Sequence, residues 1–272
     1  MASVTPLDVH LMKATTENAA PGFAPKDTTV PIVTTSSVLG ITYNNGILLV
    51  ADTLASYGRM TRFKDASRFF TLGSHTAVAS TGDYSDHQMM ERTLSRYALK
   101  DFLHDDNSVR TAHQYAALLS RLMYQKRSRM DPWWLSVIVA GYQGERSEAR
   151  EVSEEQKKPF TLGYVDMYGT FYEEEVIATG LGRYFAVTLM RNRHRPDMSE
   201  EEARQLLEEC MRILFYRDCG ASNRIQFTKV TAEGVSVEEP YVLDSKWYGN
   251  SGKKLVVKSR RNLGVRLVSF CD

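Results

Sequence analysis

Thr35-Ser36-Ser37-Val38-Leu39-Gly40-Ile41-Thr42-Tyr43-Asn44-Asn45-Gly46-Ile47-Leu48-Leu49-Val50-Ala51-Asp52 reads as a β-hairpin. Val38, Leu39, Ile41 and Tyr43 are apolar and β-favouring, which suits a first strand. Asn45-Gly46 tolerates positive φ and predicts the turn. Ile47 to Ala51 is an unbroken apolar run, the pattern of a strand covered on both faces. Asp52 ends that strand with a charge. A single carboxylate at a strand end is ordinarily a turn or cap residue.

The bulk numbers narrow the class. At 272 residues the chain can form one large domain with a sizeable core, or two small ones. Hydrophobic residues at 43% and charged residues at 25% place it among ordinary soluble globular proteins. The net charge of +1 supplies no global field for nucleic acid or an anionic membrane. Cys210, Cys219 and Cys271 form no CxxC pair and have no His at ligand spacing, so a reduced, intracellular protein without structural zinc is expected. None of His10, His75, His87, His104, His113 and His194 shows a metal or triad pattern. Gly180-Leu181-Gly182 lacks the third glycine and the downstream acid of a nucleotide fingerprint. No cofactor and no metal are expected, and no run has the length of a transmembrane helix.

Working outward, residues 1–27 read as a leader: Asn18-Ala19-Ala20-Pro21-Gly22-Phe23-Ala24-Pro25 is small, aperiodic and unlike a secretory or mitochondrial signal. A core spans 28–245 and a C-terminal extension spans 246–272. Residues 62–72 predict a short strand pair, and 75–80 a strand. Asp83 is a candidate N-cap for a helix carrying Met89, Met90, Leu94, Tyr97, Ala98 and Phe102. Ser108 is a candidate cap for the next helix, through Tyr115, Leu118, Leu119, Leu122 and Met123, whose basic end at Lys126-Arg127 suits the helix dipole. Residues 133–141 read as a buried strand. Residues 143–158 hold five Glu, two Arg and two Lys and read as a solvated insertion at a hairpin tip. Strand patterns resume over 159–167 and 170–178, a short helix follows Gly180, and Ser199 opens another helix that runs to Asp218. A last hairpin turns at Glu233-Gly234. Strands, two helices, strands, two helices and strands in that order argue for α+β layering.

Small hydroxyl residues, an apolar strand, a Gly turn and a hydrophobic strand ending in Ala51-Asp52 resemble the opening of β-type proteasome subunits. Further stretches carry the likeness: 81–86 (Thr-Gly-Asp-Tyr-Ser-Asp), 123–133, 162–169 and 210–218. The resemblance covers about Thr28 to Trp247. It implies a four-layer αββα sandwich of the N-terminal nucleophile hydrolase type. In catalytic members a Thr at the mature N-terminus attacks the peptide, its own amine is the base, a Lys and an Asp tune it, and a Gly amide holds the oxyanion.

By that resemblance the nucleophile position is Ser36, the Asp is Asp52, the Lys position holds Arg68, the oxyanion Gly is Gly82 and a supporting Asp is Asp218. Two supporting serines would fall near Leu181 and Ala221, neither of which has a hydroxyl. Arg68 cannot be deprotonated at working pH. Thr35 precedes Ser36 where self-cleaving members need Gly, so no α-amine is released there. The site therefore reads as vestigial, with Asp52 and Arg68 pairing as buried ions.

The nearest likeness is to the non-catalytic class of β-type subunit that holds the seventh position. It implies a propeptide cut near Asp27-Thr28, partners among other β subunits of the same and the facing ring and among α-ring subunits, and residence in cytoplasm and nucleus. It implies no nucleic acid and no membrane partner. The alternative is an active Ser N-terminal hydrolase released by processing at Ser36. The extension beyond residue 245 carries Lys246, Lys253, Lys254, Lys258, Arg260, Arg261 and Arg266 against Asp272. It reads as a solvated tail or an arm that clasps another subunit.

Overall fold

The computed structural model describes residues 30–104, 109–143, 159–248 and 254–255. Apart from Val30, these residues lie in one compact unit that begins at Pro31. A short strand β1 (Val33–Thr35) comes first, then a break at Ser36-Ser37, then β2 (Val38–Tyr43) and β3 (Gly46–Asp52). β2 and β3 pair antiparallel, with Val38 opposite Ala51 and Tyr43 opposite Gly46. The turn is therefore Asn44-Asn45, not Asn45-Gly46. Gly46 sits in the strand and is needed for space. A Cβ there would lie 2.4 Å from the Val230 carbonyl oxygen and 2.8 Å from the Tyr43 hydroxyl.

β4 (Ala55–Tyr57) and β5 (Met60–Phe63) extend β1 into a three-stranded sheet of order β1-β4-β5. β6 (Phe69–Leu72), β7 (Thr76–Gly82), β8 (Leu135–Tyr142), β9 (Phe160–Val165) and β10 (Phe171–Glu173) form a five-stranded sheet in the order β10-β9-β8-β7-β6. β11 (Val176–Ala178), β12 (Arg224–Thr231) and β13 (Gly234–Val237) join the hairpin in the order β11-β2-β3-β12-β13, and β14 (Tyr241–Val242) also pairs with β12. β15 (Trp247–Tyr248) pairs with β16 (Lys254–Leu255) within the C-terminal extension. The strand pair expected over 62–72 is not one: β5 and β6 belong to different sheets.

The helices are α1 (Tyr84–Leu103), α2 (Ala112–Ser128), α3 (Gly182–Phe185), α4 (Val187–Arg193) and α5 (Glu200–Arg217). Asp83 caps α1, its carboxylate accepting from the Ser85 and Asp86 backbone N–H groups. The cap of α2 is Thr111, not Ser108, which lies outside the described residues. Thr111 and Gln114 form a reciprocal capping box, and Ser199 with Glu202 does the same for α5.

Three apolar clusters set the layers. Leu48 and Val50 face Leu206, Leu207, Met211 and Leu214 of α5. Ile47, Leu49 and Ala51, the alternate residues of the same strand, face Ala77, Ala79, Ile138 and Ala140 of the other sheet. On that sheet the opposite parity, Val78, Val137 and Val139, packs on Met90 and Leu94 of α1 and Leu119 and Met123 of α2. Each central strand is thus covered on both faces, which is why its sequence is apolar without alternation. Burying one such Leu contributes about 2 kcal/mol. The result is a four-layer αββα sandwich.

Candidate functional site at the start of the hairpin

The break between β1 and β2 places Ser36 at the end of the hairpin where β3 finishes in Asp52. Ser36 Oγ donates to Asp52 Oδ1 at 2.8 Å. Ser36 is half-buried and lies between strands, not within one. The Asp52 carboxylate, 1% exposed, also accepts from Arg68 Nη1 at 2.6 Å and from the Ser222 backbone N–H at 2.9 Å.

Arg68 is 1% exposed and all of its N–H groups are used. Nε donates to the Ser80 carbonyl at 3.3 Å. Nη1 donates to the Ser37 carbonyl at 3.1 Å as well as to Asp52. Nη2 donates to the Ser36 carbonyl, to the Ser80 carbonyl at 3.0 Å and to Thr81 Oγ1 at 3.1 Å. Only a planar fork with five donors serves so many acceptors from one buried position. Burial pushes the Asp52 carboxyl above and the Arg68 guanidinium below its ordinary value. Their mutual attraction, the donors on Asp52 and the charge of Asp218 oppose that shift.

Gly82, at the end of β7, has φ +128°. A Cβ there would lie 1.9 Å from the Trp134 carbonyl oxygen. Its amide does not point at an open space. The Gly82 N–H donates to Thr35 Oγ1 at 3.2 Å, and the same hydroxyl donates to the Gly82 carbonyl at 3.1 Å. The segment before Ser36 continues along this path. Ile32 N–H donates to Asp83 Oδ2 at 2.8 Å, and Thr34 forms a bridge with Asp83. On the other side Val33, Thr34 and Thr35 pair with Tyr57, Ser56 and Ala55 of β4. Residues 32–35 therefore lie as an extended strand between β4 and the Gly82-Asp83 edge.

Asp218 ends α5, accepts from the Gly220 N–H at 2.8 Å, and contributes its charge to Arg68 from a distance. Leu181 is 40% exposed and contributes no side chain to the site. Ala221 holds only a backbone bond to the Asp218 carbonyl at 3.2 Å. Ser36, Asp52, Arg68 and Gly82 are thus brought together, Asp218 is an outer neighbour, and Leu181 offers no hydroxyl to them. Asp27 and Thr28, where the sequence leads one to expect processing, lie outside the described residues.

Sequence reasoning missed a hydroxyl ladder beneath the site. Thr179 Oγ1 donates to the Val38 carbonyl at 3.2 Å and accepts from the Val38 N–H at 2.8 Å. Thr81 and Thr179 hydroxyls are 2.5 Å apart. Ser37 Oγ accepts from the Gly182 N–H at 2.9 Å. Hydroxyl residues at the ends of apolar strands were the available signal. His87 was also missed: its Nδ1 lies 2.7 Å from Ser80 Oγ, and burial with the Arg68 charge holds it down at about 4, so the ring is neutral. Among the described residues no group of three or more His, Cys, Asp or Glu could hold a metal ion, and no helix is long and apolar enough to cross a membrane.

Two packed antiparallel sheets between helix pairs, with a hydroxyl, a carboxylate, a cation and a glycine amide at one end of the central hairpin, define the N-terminal nucleophile hydrolase fold class. A family model described as "Proteasome subunit" matches residues 32–230. The chain is 37% identical to proteasome subunit beta type-4 of Xenopus laevis over 84% of this chain and 90% of that one. It is 36% identical to proteasome subunit beta type-4 of Dictyostelium discoideum, over 83% of each chain. It is also 36% identical to the probable proteasome subunit beta type-7 of Schizosaccharomyces pombe, over 82% of this chain and 83% of that one. The chain belongs to the proteasome subunit family, among its β-type subunits. Relatives named type-4 and type-7 match it alike.

Proposed function

We propose that this chain is a non-catalytic, structural subunit of the β ring of the 20S proteasome, at the seventh β-type position, and that it contributes to assembly and not to peptide hydrolysis. One observation carries this reading: the Gly82 amide, which would hold an oxyanion, is bonded to Thr35 of the same chain. With Thr35 attached, Ser36 has no α-amine. The hydrogen-bond partner of its Oγ is a carboxylate held against a guanidinium, a poor base for a hydroxyl. Arg68 has no proton affinity to tune and is spent on structure. The alternative, a Ser hydrolase opened by processing at Ser36, needs removal of the whole β1 strand and has no counterpart for the supporting serines at Leu181 and Ala221.

In this role the chain contacts other β subunits in its own and the facing ring and α-ring subunits, takes part in protein degradation in cytoplasm and nucleus, loses residues 1–27 by a cut near Asp27-Thr28, and uses its basic tail as a clasp. N-terminal sequencing of the mature chain from the native assembly tests the central claim. A start upstream of Thr35, near Thr28, is expected. A start at Ser36 overturns it.

A further inference from the structure

Residues 57–65, the β4–β5 turn and strand with its exit, are exposed at every position. Tyr57 is 54%, Met60 67% and Phe63 46% exposed, a high value for side chains of this size. Tyr57 lies directly opposite Met60 in the hairpin, so the two share a face. The register then shifts between Ser56 and Ala55, which leaves Arg62 as the extra residue between Thr61 and Phe63, with its guanidinium 5.5 Å from the centre of the Phe63 ring. Arg59, Arg62 and Lys64 have no ion pair among the described residues, while the one acid of the stretch, Asp65, is held by Arg224. Among the described residues β5 is also the outermost strand of its sheet, and no strand there pairs with its outer row of backbone N–H and C=O groups.

The hairpin is braced. Tyr57 and Met60 flank a two-residue turn that opens on Gly58 at φ +57°, as a type II′ hairpin requires. The Phe63 ring packs 6.4 Å from the Tyr84 ring of α1, and β1 closes the other side of β4. A braced open edge with exposed apolar side chains, and with cations that have no ion pair among the described residues, is a template for an extended partner. Cations alone would be a protective device against edge pairing. Exposed Tyr57 and Met60 beside Arg59, Arg62 and Lys64 work against protection and suit a partner that carries both apolar and acidic residues.

We propose that the outer edge of β5 accepts an extended, acidic segment of another polypeptide as an added strand. Backbone bonds of the edge supply the register, Tyr57 and Met60 take apolar side chains, and Arg59, Arg62 and Lys64 take carboxylates. A phosphate backbone would engage the cations but leave the open ladder unused, so a peptide is favoured over nucleic acid.

The probe is the fluorescent peptide acetyl-Glu-Val-Glu-Val-Glu-Val-amide, titrated into the full chain and followed by anisotropy. Saturable binding is expected, with a loss of about tenfold or more in the triple variant Arg59→Glu, Arg62→Glu, Lys64→Glu, whose positions are exposed. That variant should in exchange gain binding of the Lys-Val counterpart. A peptide N-methylated at its valines, equal in charge, should bind the native chain at least about tenfold more weakly, because it cannot complete a ladder. Absence of saturable binding, equal binding by the triple variant, equal binding of the N-methylated peptide, or tighter binding of a single-stranded oligonucleotide of the same charge each overturns the proposal.

Discussion

Thr35 Oγ1 accepts the hydrogen bond of the Gly82 amide at 3.2 Å and returns one to the Gly82 carbonyl at 3.1 Å. One hydroxyl therefore satisfies both backbone groups of the residue on which an oxyanion would depend. The pairing of Thr34 and Thr35 with Ser56 and Ala55 holds it there. Thr35→Val keeps the shape and removes both bonds, leaving two half-buried backbone groups without a partner. A loss of about 1–3 kcal/mol is expected from urea denaturation of the full chain. Peptidase activities of the assembly should not change. No measurable loss of stability would mean that β1 is held by its strand pairing alone.

Arg68 supports a second prediction. It ties the carbonyls of Ser36, Ser37 and Ser80 to the Asp52 carboxylate from a fully buried position. Arg68→Met removes the partner of a buried charge and should cost about 3–5 kcal/mol. Adding Asp52→Asn should recover part of that, because the orphaned carboxylate is gone. Arg68→Lys supplies three donors on a flexible stem in place of five in a plane, and should lose stability without creating hydrolysis. Denaturation midpoints of the three variants, with peptidase assays on assembled particles, check this. A gain of hydrolysis in Arg68→Lys would show that the cation alone silences the site.

Ser36→Ala gives the third. The Ser36 hydroxyl has one hydrogen-bond partner among the described residues, Asp52 Oδ1; when that bond is lost the carboxylate keeps two donors, Arg68 Nη1 on Oδ1 and the Ser222 N–H on Oδ2. All peptidase activities of the assembly should survive, and stability should fall by about 1 kcal/mol. Disappearance of one activity from correctly assembled particles would restore the catalytic reading.

Much of this arrangement is legible in the sequence, for reasons that differ by residue. The layering can be read because Ile47 to Ala51 is apolar at both parities, and only a strand between two layers tolerates that. Asp52 and Arg68 can be read as partners once one places a charge at the end of that strand and another in the next apolar stretch. Asp83 and Ser199 announce their helices by the local chemistry of capping. Thr35 is different. A hydroxyl just before a strand break has no period and no motif, and its partner is a backbone 47 residues away. Thr179 and Thr81 share that obscurity. Ser108 misled because Thr111, three residues later, has Gln114 at the right spacing to close a capping box. Gly46 misled because a glycine beside two asparagines signals a turn, whereas here the close approach of Val230 demands it.

His87 makes stability depend on pH. Burial and the Arg68 charge lower its pKa from 6.5 to about 4. The folded state therefore keeps the ring neutral where the unfolded chain has begun to protonate. Stability from this group is complete above about pH 6.5 and falls as pH drops through the window to about 4, by about 3 kcal/mol in all. Urea midpoints measured from pH 7 to pH 4 should fall more steeply for the native chain than for His87→Gln. Parallel curves would place the acid sensitivity elsewhere.

Gly82 and Gly46 make the last prediction, a contrast with Gly58. Gly82→Ala meets the Trp134 carbonyl oxygen at 1.9 Å and a φ of +128° that an L side chain rarely adopts. Gly46→Ala meets the Val230 carbonyl oxygen at 2.4 Å, though its φ is ordinary. Neither obstacle is a flexible side-chain end, so backbone must move in both, and strand pairing at β7–β8 or β3–β12 must yield. Gly58, by contrast, has positive φ and open space around its Cβ position. Gly58→Ala should cost about 1 kcal/mol, a conformational penalty alone. Gly82→Ala and Gly46→Ala should give little soluble full-length chain. Soluble, cooperatively melting Gly82→Ala protein would mean that the turn into α1 can shift away from Trp134, and with it the amide that Thr35 now holds.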